Sequence, residues 1–127
     1  MKKLSKALVA LTLVCAVLLT ACGAAKTVEE YYNKPVVREA LDAQLNMLQE
    51  QNSDIFSKVE MTVSGNDVSY NYYYVDGVEV DADLLEMSDA QFDQAKEAIK
   101  GDCNILPDTI SYNYYNFDGT LIKSLSK

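Results

Sequence analysis

The 127-residue chain contains no histidine and no tryptophan, only three cysteines, and 11 basic side chains against 19 acidic ones. Without histidine there is no Ser-His-Asp or Cys-His nucleophilic pair, no His-ligated zinc, and no side chain that ordinarily exchanges protons near neutrality. A net charge of −8 argues against a nucleic-acid partner, because affinity for phosphate comes from clustered Lys and Arg. What is present is an apolar fraction of 49% and nine tyrosines, enough for one small folded domain rather than two.

The first 21 residues differ from the rest. Met1-Lys2-Lys3-Leu4-Ser5-Lys6 is basic, and Ala7 to Ala21 is an uncharged, mostly apolar run of 15 residues. A bilayer span takes about 20 residues, so this run is short for one and matches instead the n- and h-regions of a secretory signal. It ends in Leu19-Thr20-Ala21-Cys22, followed by Gly23-Ala24-Ala25, which resembles the lipobox of bacterial lipoproteins. The resemblance implies a diacylglyceryl thioether on Cys22 and cleavage just before it. Residues 1–21 are then a lipoprotein signal peptide, 22–26 a lipidated Cys and tether, and 27–127 a single domain. The protein would be anchored at the cell membrane and face outside it. Removing Lys2, Lys3 and Lys6 leaves 8 basic residues against 19 acidic, a mature charge of −11. Anionic lipid repels such a chain, so acyl chains rather than a basic patch must hold it at the membrane. Cys15 leaves with the signal and Cys22 takes lipid, so Cys103 is expected as a partly buried lone thiol in a monomer, the alternatives being an intermolecular disulfide or a reactive thiol. Asp102 and Asp108 should raise its pKa by like-charge repulsion.

In the mature part, Thr27-Val28-Glu29-Glu30 has the form of a capping box. Tyr31-Tyr32 closes a short helix, and Pro35, tolerated at a first helical position, opens another. Val37, Leu41, Leu45 and Leu48 then recur at helical spacing to about Gln51. Over Lys58 to Ser64, Val59, Met61 and Val63 alternate with polar residues as in a half-buried strand, and Gly65-Asn66 turns the chain into a second strand, Asp67 to Val75. Ser88-Asp89-Ala90-Gln91 is a second capping box, opening a helix over 88–100 with Phe92, Ala95 and Ile99 on one side and Gly101 as its end. Thr109 to Phe117 and Thr120 to Ser126 are the remaining strands, joined by Asp118-Gly119.

Val68-Ser69-Tyr70-Asn71-Tyr72-Tyr73-Tyr74-Val75-Asp76-Gly77 is echoed 42 residues later by Ile110-Ser111-Tyr112-Asn113-Tyr114-Tyr115-Asn116-Phe117-Asp118-Gly119. This leads to an expected α+β fold of two helix-strand-strand units, their helices packed on one face of a four-stranded antiparallel sheet. Alternation places Val68, Tyr70, Tyr72 and Tyr74 with Ile110, Tyr112 and Tyr114 under the helices. The other face carries Ser69, Asn71, Tyr73 and Val75 beside Ser111, Asn113, Tyr115 and Phe117. Tyr, Ser and Asn suit adaptable recognition, so Asn71, Tyr73, Asn113 and Tyr115 are the candidate ligand-binding residues. The competing explanation is that such residues simply suit strands.

The acidic stretch Asp76, Glu79, Asp81, Asp83 and Glu86 lacks the spacing of a twelve-residue calcium loop and is expected to be solvated charge. No metal, cofactor or catalytic residue is expected. Thr27-Val28-Glu29-Glu30-Tyr31-Tyr32-Asn33-Lys34-Pro35, the Leu stripe and Phe117-Asp118-Gly119-Thr120-Leu121-Ile122 together resemble small cell-surface lipoproteins of Gram-positive anaerobes, domain-of-unknown-function family 4854. That resemblance implies a compartment and brings no site residues. The expected function is a non-enzymatic binding or interaction module for a peptide, glycan or envelope protein. The alternative is a small envelope hydrolase or a purely structural lipoprotein.

Overall fold

The computed structural model describes residues 25–127 and, before them, the backbone of Lys2–Lys3. The rest of the expected signal peptide, with the stretch that resembles a lipobox and Cys22, lies outside the described residues. Thr27 caps α1 (Val28–Tyr32) by accepting the Glu30 amide on its Oγ1 at 3.0 Å. The expected box closes only halfway, because the Glu30 carboxylate takes the Lys26 amide at 3.4 Å. Pro35 opens α2 (Pro35–Gln51), where a missing N–H costs nothing, and Val37, Leu41 and Leu45 form its buried stripe. α3 (Asp89–Cys103) begins with a complete capping box between Ser88 and Gln91. It runs past Gly101 and stops where Asn104 takes a left-handed conformation, φ 63°, which Asn tolerates better than most residues.

The strands β1 (Phe56–Ser64), β2 (Asp67–Tyr74), β3 (Thr109–Tyr115) and β4 (Leu121–Ser126) lie in the order β1-β2-β3-β4. The two outer pairs are antiparallel hairpins, whereas the central pair, β2 and β3, is parallel. This corrects the expected antiparallel sheet. The segment between β2 and β3 contains α3, and a crossover of that kind returns the chain in its original direction. The halves are also not equivalent units, since the repeat aligns the second strand of one hairpin with the first strand of the other. Separately, Val78–Glu79 pairs in parallel with Lys2–Lys3.

Every β2–β3 pair, from Asp67 with Thr109 to Tyr73 with Tyr115, joins residues 42 apart. The sequence repeat therefore lies beside itself in register. On the inner face this stacks Tyr70 on Tyr112, ring centroids 5.2 Å apart, and Tyr72 on Tyr114 at 5.3 Å. These rings share one buried cluster with Val37, Leu41 and Leu45 of α2 and Phe92, Ala95 and Ile99 of α3. Phe92 meets Tyr112 edge-on at 5.9 Å.

Burial pushes the Tyr114 phenol up to about 12 and raises that of Tyr74 further. In the unfolded chain both protons leave near pH 10. The folded state holds them longer, so their contribution to stability is complete below pH 10 and is lost as pH rises from 10 through about 12. Denaturant unfolding should therefore show a lower midpoint at about pH 11 than at about pH 9, one unit either side of the free phenol value. If all nine tyrosines titrate together at the free phenol value while the circular dichroism stays native, this burial is wrong.

The start of α1 docks on the β1–β2 turn. The Glu29 amide donates to the Gly65 carbonyl at 2.9 Å, the Val28 amide to Asn66 Oδ1 at 3.0 Å, and the Gly65 amide to Glu29 Oε1 at 2.8 Å. Gly65 holds φ +61°, a conformation that side chains rarely adopt. Residues following the tether thus sit where β2 begins. At about 3.3 Å per residue, β2 carries the chain roughly 25 Å from that end.

Candidate functional site

Register organises the outer face of the sheet into rows. Lys58, Tyr73, Tyr115 and Leu121 pair successively across β1 to β4, Glu60, Asn71, Asn113 and Ser124 form the next row, and Thr62, Ser69, Ser111 and Ser126 the third. Because β2 and β3 are parallel and in register, each of the two central positions in a row holds the same residue type. Like residues stack or ladder in such an arrangement.

All four sequence-predicted residues come together. Tyr73 and Tyr115 stack with centroids 4.6 Å apart and planes 12° from parallel, and both are half-buried. Asn113 Nδ2 donates to Asn71 Oδ1 at 2.9 Å, and Ser124 Oγ donates to Asn113 Oδ1 at 2.6 Å. Asn71 is only 7% exposed and alone among the described polar residues in being buried. Its carbonyl belongs to a ladder spanning β2 to β4, so Asn71 supports the face more than it presents itself to a ligand. The tyrosines are the accessible part.

The sequence reading passed over Lys58, which completes the aromatic row, and Glu60, which borders it from the asparagine row. Lys58 Nζ lies 5.5 Å from the Tyr73 ring centroid and 3.1 Å from Glu60 Oε2, while the Tyr73 hydroxyl donates to Glu60 Oε1 at 3.3 Å. Partial burial raises the Tyr73 phenol pKa, and the negative charge of Glu60 raises it further. Tyr73 therefore stays a neutral hydrogen-bond donor with one ring face against a cation and the other on Tyr115. The group offers flat contact area with polar groups at its margin, the makings of a recognition surface.

Beyond the aromatic row the strands end in two loops. Val75, Asp76, Gly77 and Val78 face Asn116, Phe117 and Asp118 across an open hollow of about 250 Å³. Phe117 is 63% exposed. The Asp118 carboxyl is held below the usual carboxylate range by hydrogen bonds from the Thr120 side chain and amide. These residues are the ends of the two repeat copies. Parallel in-register pairing of the repeat was the signal that would have placed them together.

Among the described residues, no three Cys, Asp or Glu side chains converge to hold a metal ion, and no helix is long and apolar enough to cross a membrane. Asp81, within the acidic stretch, accepts the Asp83 amide at 3.0 Å and caps the short 3-10 helix Ala82–Leu84. Cys103 is buried at the end of α3, its thiol 3.3 Å from the Ile99 carbonyl. Its pKa is raised as expected, but burial is the main cause and the Asp102 charge a smaller one. No family model, curated protein or solved structure matches the chain.

Proposed function

We propose that the protein is a lipid-anchored, outward-facing binding module that recognises a partner through the outer face of its sheet. The observation that carries this reading is the Tyr73–Tyr115 stack, which lies outside the buried cluster while the neighbouring tyrosines on the same strands are 0–2% exposed. Buried side chains of all three helices join the inner-face cluster, which supports helices on that face and an outer face left open around Tyr73 and Tyr115. Aromatic side chains supply contact area at low entropic cost, and the asparagine ladder fixes the strands beneath them. Anchoring through Cys22 supports the same geometry. The tether would enter at the β1–β2 turn, so the tyrosine row and the hollow would point away from the bilayer.

The test is recovery of envelope components by the detergent-solubilised mature protein. The Tyr73→Ala, Tyr115→Ala double variant should retain its fold and lose affinity for the recovered partner by about tenfold or more, as for a central aromatic anchor. Equal recovery by both proteins sinks the proposed surface.

A further inference from the structure

We propose a second site: the backbone edge of Val78–Glu79, with the adjoining hollow, takes an extended lysine-rich peptide segment. Three observations meet there. The first is a backbone edge already engaged by an extended segment, since the backbone of Lys2–Lys3 pairs with it in parallel, Lys2 opposite Val78 and Lys3 opposite Glu79. Addition of an extended chain to an open strand is a general mode of peptide recognition, in which the backbone supplies affinity and the flanking side chains supply selectivity.

The second is charge. Asp76 and Glu79 are exposed at the edge, Asp118 lies across the hollow, Asp81 and Asp83 follow, and no basic residue occurs from Val75 to Met87. Lys123 reaches this stretch from β4, but its ammonium donates to the Ala82 carbonyl at 3.1 Å and pairs with none of these carboxylates. The third is shape. The hollow is lined by Val75, Val78 and Phe117 among Asp76, Gly77, Asn116 and Asp118, so the aliphatic stem of a lysine can lie beside the apolar side chains while its ammonium reaches the carboxylates.

Under the export reading Lys2–Lys3 departs with the signal peptide, so Val78–Glu79 loses that pairing partner while the Val78 amide keeps its turn hydrogen bond to the Val75 carbonyl at 3.4 Å. The site thus rests on that reading for its vacancy and on the structure for its chemistry. It lies past the carboxyl ends of the parallel strands β2 and β3.

The experiment titrates the purified protein, its first residue fixed by mass, with a hexalysine probe while backbone amide resonances are followed. Shifts should concentrate at residues 75–79 and 116–118, and the ε-acetylated probe should bind at least about tenfold more weakly. The Asp76→Asn, Glu79→Gln variant should lose about tenfold in affinity. The Glu39→Gln, Glu50→Gln variant changes net charge equally, but on exposed positions of α2, and should lose less than about twofold. Equal losses in the two variants, shifts spread over all acidic surfaces, or no binding would overturn the site. So would a neutral chitotriose probe displacing hexalysine from these residues. A mass that retains residues 1–21 refutes the export reading alone; Lys2→Pro, Lys3→Pro, which removes the backbone donors of that segment, then clears the edge for the same titration.

Discussion

Replacing Tyr112 with Ala should destabilise the domain by about 3–5 kcal/mol, as for other large aromatic residues deleted from a core. Tyr112 is fully buried, stacks on Tyr70 at 5.2 Å, and receives Phe92 of α3 edge-on at 5.9 Å. Its ring joins β2, β3 and α3, so the cavity left behind touches three elements that cannot collapse independently. A domain of about 100 residues has roughly 5–15 kcal/mol in hand, and a loss of this size lowers its melting temperature by about 15–30 °C. Tyr115→Ala, three residues away on the opposite face, removes one stacked ring from a half-exposed surface and should cost about 0.5–1.5 kcal/mol. The comparison checks register, because a slip of one residue exchanges the two faces of a strand. Thermal melts followed by circular dichroism decide it. A Tyr115→Ala protein that melts below Tyr112→Ala would mean the faces are reversed.

The parts of the fold that local chemistry dictates were legible in the chain. Thr27 and Ser88 accept the amides three residues on, Pro35 opens a helix, and Gly65-Asn66 turns a hairpin. Tyr70, Tyr72, Tyr112 and Tyr114 point inward as their alternation requires. Strand direction was not legible in the same way, since it depends on the path of the connection and not on any residue within the strand. The helix opened by Ser88, lying between two neighbouring strands, nevertheless signals a crossover, and equal spacing of the repeat signals the register. Irregularities also escaped periodicity. Phe56 and Val59 are three apart and both buried, which a strand allows only with the bulge at Ser57.

At the candidate site, sequence picked the right face and misjudged one role on it. Asn71 was legible as an outward residue but not as a buried one, because its burial comes from Asn113 beside it and Glu60 opposite it on β1. Both neighbours depend on pairing partners far along the chain. The hollow was hidden for the same reason, as Asp76 and Asp118 become neighbours only when the two copies of the repeat align.

Changing Cys22 to Ala should have the largest effect in the cell: the protein loses its membrane anchor. In the lipobox resemblance the Cys22 thiolate carries the diacylglyceryl group, and alanine has no sulfur to alkylate. The signal peptidase of that pathway acts on the lipidated form, so the variant should accumulate as precursor or escape to the medium. Under that resemblance the lipid must supply the attachment, because a mature charge of −11 is repelled by anionic headgroups. One acyl chain holds a protein only marginally, whereas two acyl chains make the attachment stable. Wild type should therefore enter the detergent phase of a temperature-induced phase separation, with a mass matching a diacylated chain that starts at Cys22. The Cys22→Ala protein should stay in the aqueous phase or retain residues 1–21, and its domain should melt at the wild-type temperature, since the core begins at Val28. Wild-type protein in the aqueous phase, or a Cys22→Ala protein processed and anchored normally, would remove the lipoprotein reading and with it the orientation of the tyrosine face away from the membrane.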